Sequence, residues 1–199
     1  NELRWTLIQN GCESSDTVVI TSNKATVASV ASNQTICSDE TVLTGNEFDE
    51  GENESGRWSL VEGSGNFEDR SDPTTTVTGV GNGTNVYRWT IYNGTCSSNA
   101  DLTVVNNQVE AYAGKDTVVC ERNVTLNADP APAGYSGEWN IVNNMGGATF
   151  TDKTEPDDDV RLDYGKNGLI WRVTHDGTEC VSRDTVFILV NAPNPNDVN

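Results

Sequence analysis

Hydrophobic residues at every second position mark three segments of the chain. In NVYRWTIYN the apolar side chains of Tyr87, Trp89 and Ile91 alternate with polar ones. The segments LRWTL, beginning at Leu3, and LIWRV, beginning at Leu169, alternate in the same way. A period of two places one side of an extended chain against a core and the other toward solvent. The pattern therefore predicts a half-buried β-strand in each segment.

Turn signals and further strand-like runs surround these segments. The dipeptides Asn93-Gly94 and Asp176-Gly177 tolerate the positive φ of tight hairpins, and each is followed by another β-prone run, ADLTVV or DTVFILV. Shorter runs come before them, such as TVLTG, GRWSLV and TTTVTGV, and no stretch has a helical period. About seven short strands in 80-odd residues predict an all-β fold of the immunoglobulin-like sandwich class.

The chain also repeats itself. The tryptophans of the three alternating segments recur at an interval of roughly 80 residues, and the cysteines that follow them recur at the same interval. GRW at 56–58 returns as GEW at 137–139, and Cys37 returns as Cys120. Several marks at one spacing indicate tandem repeats, and a period of this length is the size of a small domain.

The repeat divides the chain into four parts. Residues 25–106 and 107–192 are predicted to be two immunoglobulin-like repeats. Residues 1–24 match only the last two strands of a repeat, and are interpreted as the C-terminal part of a truncated preceding one. Residues 193–199 are rich in proline and asparagine and are predicted to be a linker. This division predicts that the sequence is an excerpt from a longer array.

The tryptophans are predicted to be core residues. Each repeat has one in its GRW or GEW segment and one in its alternating strand, and such a pair would fill the space between two sheets. The alternative, a platform on which a ligand stacks, is less favoured because the alternating tryptophan shares a face with aliphatic residues. The predicted core aromatics are Trp5, Trp58, Trp89, Trp139 and Trp171.

The five cysteines allow two pairings that follow the repeat. Bonds within repeats would be Cys37–Cys96 and Cys120–Cys180, with Cys12 unpaired. Bonds between neighbouring repeats would be Cys12–Cys37 and Cys96–Cys120, with Cys180 left over, so counting does not decide between them. We favour the first pairing, in which each bond closes a loop of roughly 60 residues and contributes about 4 kcal/mol. The first and sixth strands of a standard sandwich end at opposite poles, which leaves that geometry open. Either pairing implies an oxidising compartment.

The charge and composition exclude some functions. The formal net charge is −18 and the pI is near 4.1, which argues against nucleic acid as a partner because phosphates require Lys and Arg. Such acidity suits a soluble extracellular protein. Hydrophobic residues make up 35% of the chain, which is enough for thin cores, and there is no run of 18 apolar residues that could span a membrane.

Little in the sequence points to catalysis or to a cofactor. The only histidine is His175, beside a predicted turn, and the cysteines recur too regularly to be nucleophiles, so no enzyme activity and no cofactor are predicted. Asp157, Asp158 and Asp159 form a weak calcium candidate. They lack the spaced order of a calcium loop, and a solvated loop is the favoured interpretation.

The tripeptide DTV occurs three times, with its threonine at 17, 117 and 185. Threonine and valine both favour strands, so β propensity alone explains the tripeptide. Any further role for Thr17, Thr117 and Thr185 depends on the kind of protein to which the repeats belong.

The segments TVVCERNVTLNA, GEWNIV and LIWRVTHDGTECVSRDTVFI resemble the cysteine-bearing Ig-like and PKD-like repeats of very large Bacteroidetes surface proteins. The similarity extends over nearly the whole chain and includes the gliding-motility adhesins of the SprB type, which the type IX secretion system exports. The chain departs from true PKD domains, because it has RWSLVEGSG and EWNIVNNMG in place of the signature WDFGDG.

The resemblance implies a glycoprotein of the bacterial cell surface. It implies a secreted adhesin filament attached to the outer membrane, whose partners are further repeats of the same chain, polysaccharide or solid surfaces, and the secretion machinery. Because members of that phylum attach O-glycans at D-[ST]-aliphatic sites, it makes Thr17, Thr117 and Thr185 candidate glycosylation sites. The alternative function is an accessory spacer or carbohydrate-binding module of a secreted multidomain enzyme.

Overall fold

A computed structural model of the chain describes residues 1–20 and 24–192. Within those ranges the protein consists of sixteen β-strands and one single-turn 3-10 helix, Glu50–Glu52. No helix in this part of the chain is long and apolar enough to cross a membrane. The predicted linker, residues 193–199, lies outside the described residues.

The chain begins with an isolated hairpin. Strand β1 (Glu2–Gln9) pairs antiparallel with β2 (Cys12–Val19), and the turn between them is Asn10-Gly11. Both turn residues have positive φ, as the type of hairpin favoured by Asn-Gly requires. These two strands form a sheet of their own within the described part of the chain.

Seven strands then form the first sandwich. One sheet has the order β3-β9-β8-β5 and the other β4-β7-β6. The strands are β3 (Gln34–Ile36), β4 (Glu40–Thr44), β5 (Glu54–Glu62), β6 (Asn66–Phe67), β7 (Thr74–Thr78), β8 (Gly83–Asn93) and β9 (Cys96–Asn106).

Seven more strands form the second sandwich in the same arrangement. Its sheets have the orders β10-β16-β15-β12 and β11-β14-β13, and β10 runs parallel to β16. The strands are β10 (Thr117–Val119), β11 (Asn123–Thr125), β12 (Tyr135–Ile141), β13 (Ala148–Phe150), β14 (Asp159–Leu162), β15 (Gly165–His175) and β16 (Val181–Val190). The predicted fold class, tandem immunoglobulin-like β-sandwiches of about seven strands each, is confirmed.

The contacts of the chain divide it into two compact units. Of the described residues, one unit comprises those within Asn1–Gln34 and Glu40–Val104, and the other comprises those within Thr35–Asp39 and from residue 105 to residue 192. The short segment 35–39 thus belongs to the second unit although its neighbours in sequence belong to the first. The boundaries at residues 24, 106 and 192 remain predictions from the repeat.

Paired tryptophans occupy the centre of each sandwich. Trp58 and Trp89 lie opposite each other on β5 and β8 with their ring centroids 5.2 Å apart, and Trp139 and Trp171 do the same at 5.1 Å on β12 and β15. All four are buried, and each indole N–H donates to a backbone carbonyl. Burial of a ring of this size supplies a large part of the apolar area that stabilises a thin sandwich.

Trp5 differs from the other predicted core aromatics. Its side chain is 69% exposed, whereas Trp89 and Trp171, at the corresponding position of the two sandwiches, are 0% exposed. The expectation that Trp5 is a core residue is therefore corrected. The physical reason is that, among residues 1–20 and 24–192, β1 and β2 pair only with each other, and no second sheet from those residues covers the face that carries Trp5.

A buried asparagine at the start of β8 and of β15 also recurs. Asn85 and Asn167 are each 1% exposed. The side-chain amide of each donates to the carbonyls four and two residues earlier in the chain and to one carbonyl on the neighbouring strand. These bonds pair the buried side-chain amide with backbone carbonyls where the chain turns into the strand, and a buried amide without partners is costly.

Candidate functional site

The reactive chemistry of this chain is concentrated in its cysteines. Cys37 and Cys180 form a disulfide whose Cα atoms are 5.2 Å apart, and they are separated by 143 positions in the sequence. Both cysteines lie in the second compact unit. The other three, Cys12, Cys96 and Cys120, have free thiols.

Neither predicted pairing is present in the structure, and the second sandwich shows why Cys120 does not reach Cys180. Val119 lies opposite Val190, and Asn191 N donates to Val119 O at 2.9 Å, so Cys120 lies beyond the C-terminal end of β16. Cys180 precedes the N-terminal end of the same strand. The ten residues of β16 place the two cysteines roughly 33 Å apart, and a disulfide needs a Cα separation of about 4.4–6.8 Å.

The first repeat excludes its internal bond for the same reason. Asn107 N donates to Ile36 O at 2.9 Å, which places Cys37 beyond the C-terminal end of β9. Cys96 is the first of the eleven residues of β9. The predicted pairs Cys37–Cys96 and Cys120–Cys180 are therefore corrected, and in the described structure the bond runs from Cys37 to Cys180 instead.

A tight turn positions Cys180. His175 N donates to Cys180 O at 2.9 Å, and His175 Nδ1 accepts a hydrogen bond from Gly177 N at 3.1 Å. The imidazole also contacts Thr178 Oγ1 at 3.0 Å and packs edge-on against Tyr135, with ring centroids 4.8 Å apart. These contacts give His175 a role in shaping the turn, and Cys180 is buried beside it.

The calcium candidates are engaged with their own chain. The Asp158 carboxylate is buried and accepts hydrogen bonds from Thr151 N at 3.0 Å and Asp152 N at 2.8 Å. The Asp159 carboxylate accepts from Thr125 Oγ1 at 2.6 Å, while Asp157 is exposed. Residues 1–20 and 24–192 contain no group of three or more His, Cys, Asp or Glu side chains that could hold a metal ion.

The three candidate glycosylation threonines lie on strands. Thr17 is on β2 and Thr117 on β10, and both are exposed. Thr185 is half-buried on β16, where its backbone N–H donates to the Asp184 carboxylate at 2.8 Å. Thr17 N makes the same local bond to Asp16 at 2.9 Å. Thr17 and Thr117 are thus more accessible than Thr185.

The first sandwich also has an open surface cleft, which the sequence pattern did not indicate. Its volume is about 650 Å³, and its lining includes Arg57, Arg70, Phe67 and Tyr92. The Arg70 guanidinium lies 4.2 Å from the centroid of the Phe67 ring. Asp69, on the same rim, accepts hydrogen bonds from the hydroxyl and the backbone N–H of Ser71, and these lower its carboxyl pKa below the usual value.

The chain is similar in structure to several β-sandwich proteins. One is a SusE-like surface-located polysaccharide-binding protein from the Bacteroides thetaiotaomicron heparin utilisation locus. The match covers 83% of this chain and 34% of that protein, with 11% sequence identity and a TM-score of 0.35. The match to the insect immune protein hemolin covers 96% of this chain and 56% of hemolin, with 12% identity and a TM-score of 0.49. The match to an endo-fucoidan hydrolase of glycoside hydrolase family 107 covers 96% of this chain and 34% of the hydrolase, with 15% identity and a TM-score of 0.32.

These similarities concern the fold alone, because none of the three identities exceeds 15%. The chain spans between a third and just over half of the length of those three proteins. The sequence matches no family model. It also matches no curated protein sequence at a significant level. What the structure establishes is the class, an array of immunoglobulin-like β-sandwiches with an intramolecular disulfide.

Proposed function

We propose that this chain is a non-catalytic structural and adhesive segment of a large secreted bacterial cell-surface adhesin. The observation that carries the proposal is that one sandwich is built twice with the same internal details. Both copies have seven strands in the same sheet order, a tryptophan pair at 5.1–5.2 Å and a buried asparagine at the same strand. Domains of one architecture in tandem are suited to setting a length between an anchor and a contact surface.

The cell surface is the proposed location. An intramolecular disulfide is typical of proteins that fold in an oxidising compartment, and a net charge of −18 keeps a filament dispersed in solution. The resemblance to the gliding-motility adhesins extends the proposal to export by the type IX secretion system, attachment at the outer membrane and O-glycans at Thr17 and Thr117. His175 is occupied by its turn, which favours a role without catalysis.

Antibodies raised against residues 107–192 should label intact cells of the source organism. This follows because a surface filament is accessible without permeabilisation, and immunogold microscopy measures it directly. An antibody to a cytoplasmic enzyme serves as the control and should label only permeabilised cells. Deletion of the gene should also reduce attachment to glass and spreading on agar. Labelling that requires permeabilisation would contradict the proposed location.

The cleft of the first sandwich supports a second candidate function, polysaccharide binding. Tyr92 is 41% exposed there, so a sugar ring could stack on its face, while Arg57 and Arg70 offer N–H donors to hydroxyl or carboxylate oxygens. Clefts that combine an aromatic surface with a few directed polar groups are typical of ligand sites. This function would suit an adhesive tip as well as an accessory module of an enzyme.

If the cleft binds polysaccharide, the chain should migrate more slowly in native gels that contain alginate or laminarin than in gels without them. Tyr92→Ala should abolish this retardation. Loss of the aromatic face removes the stacking surface without disturbing the buried tryptophans. Tyr112→Ala is the matched control, because Tyr112 is similarly exposed at 39% but does not line the cleft. Equal mobility of the unsubstituted chain with and without polysaccharide would count against binding in the cleft.

A further inference from the structure

The disulfide connects two different landmarks of the repeat. Cys37 follows the first strand of its sandwich, β3, and Cys180 stands just before the last strand of the next one, β16. By sequence, Cys37 belongs to the first full repeat and Cys180 to the second. The bond therefore joins the first-strand cysteine of one repeat to the hairpin cysteine of the next, an arrangement that neither of the pairings predicted from the sequence contains.

Cys120 occupies the same structural position as Cys37. In each case the residue before the cysteine accepts a hydrogen bond from an asparagine that follows the last strand: Asn107 N to Ile36 O and Asn191 N to Val119 O, both at 2.9 Å. The two hydrogen-bonded pairs stand at corresponding positions of the sequence repeat. The backbone that presents Cys37 to its partner is thus also present at Cys120.

Cys96 occupies the position that corresponds to Cys180. It opens β9, as Cys180 immediately precedes β16, and each follows the hairpin that leaves the long strand carrying the buried tryptophan. Cys96 is half-buried and its thiol is free, and the thiol of the exposed Cys120 is free as well. The two repeat positions that are bonded at Cys37 and Cys180 are therefore unbonded at Cys120 and Cys96.

We infer that the Cys37–Cys180 bond is one member of a series in which the cysteine after the first strand of each repeat is bonded to the hairpin cysteine of the following repeat. Cys120 is then a half-site for the hairpin cysteine of a following repeat, and Cys96 for the first-strand cysteine of a preceding one. The inference rests on the proposed tandem array. The partner in each case is a cysteine of another repeat of this kind.

Formation of each bond requires a disulfide oxidant. Two thiols lose two electrons and two protons as their S–S bond forms, and a disulfide such as oxidised glutathione accepts both and leaves as two thiols. The exposed Cys120 is accessible to such an exchange in the free chain. The reaction therefore needs no group from the protein beyond the two cysteines.

The test lengthens the chain by one repeat. Residues 109–192 are placed directly after Ala192, in place of 193–199, because Asn191 corresponds to Asn107 and the period is then kept. The protein is refolded in a mixture of reduced and oxidised glutathione, its remaining thiols are alkylated, and peptides are mapped by mass spectrometry without reduction. We expect Cys37–Cys180 together with a new bond from Cys120 to the added copy of Cys180.

Controls separate the pairing rule from adventitious oxidation. Cys180→Ser in the added repeat alone should return Cys120 to the alkylated fraction and leave Cys37–Cys180 intact. In the unextended chain, alkylation under native conditions should label Cys12, Cys96 and Cys120 and spare the other two, which keeps the inference testable if the longer chain does not fold. Cys120 alkylated in the extended chain, or bonded to Cys96, would overturn the inference. Neither result depends on where the protein lies on the cell, so this test is distinct from that of the proposed function.

Discussion

Cys180→Ser is expected to lower the free energy of complete unfolding of the chain by about 5 kcal/mol in the chain-entropy description of a disulfide. The size of the effect comes from the 143-residue separation between Cys37 and Cys180, since the unfolded chain gains more freedom when a longer loop is opened. Urea unfolding followed by tryptophan fluorescence measures it. The buried tryptophan pairs of both sandwiches report the transition.

Cys96→Ser is the matched control for this prediction. It removes one thiol from the corresponding position of the other repeat, but that thiol is not bonded, so a change below about 0.5 kcal/mol is expected. A reducing agent should bring the unsubstituted chain to the stability of Cys180→Ser and should leave that variant unchanged. Equal stabilities of the two serine variants would show that Cys37 and Cys180 are not bonded in solution.

Gly137→Ala is expected to destabilise the second sandwich by about 3 kcal/mol, the upper part of the range for overpacked cores. A Cβ at residue 137 would lie 2.2 Å from Cζ2 and 2.4 Å from Cη2 of Trp171. The indole cannot move aside easily, because it is fully buried and its N–H donates to Asp129 O at 3.0 Å. Thermal unfolding of the variant measures the loss.

Two further variants test whether the indole is the cause. Gly177→Ala adds a Cβ at an ordinary contact distance, 3.5 Å from His175, and should change stability by less than about 0.5 kcal/mol. Trp171→Phe removes the ring atoms that the new methyl group of Gly137→Ala would meet. The double variant should therefore lose less stability than the sum of the losses of the two single variants. If the two losses simply add, the destabilisation by Gly137→Ala does not come from its contact with the Trp171 indole.

The alternation of hydrophobic residues was sufficient to predict the long strands. In β15 the buried residues Leu169, Trp171 and Val173 are spaced by two, and this local pattern depends only on which side of the strand faces the core. The count of about seven short strands in 80-odd residues then indicated the sandwich class. Trp5 has the same local pattern, but the described part of the chain places no second sheet against it, so its exposure was not predictable from the strand alone.

The disulfide could not be predicted from spacing, because its geometry depends on long-range pairing. The parallel alignment of the three-residue strand β10 with β16 places Cys120 and Cys180 at opposite ends of one strand. A strand this short carries no periodic signal. The surface cleft was missed for a similar reason, since its arginines and aromatic residues come from separate strands and loops. The buried asparagines Asn85 and Asn167 did leave a signal, because each stands two residues before the first alternating apolar residue of its strand, Tyr87 or Leu169.

A single covalent bond between Cys37 and Cys180 also determines how the chain responds when its ends are pulled apart. Tension entering at the N-terminus passes from Cys37 through the two sulfur atoms to Cys180, so the residues between them are not stretched. That separation of 143 positions corresponds to roughly 500 Å of extended chain. With the bond oxidised, the chain lengthens only outside the loop between Cys37 and Cys180, and it becomes extensible there when the bond is reduced.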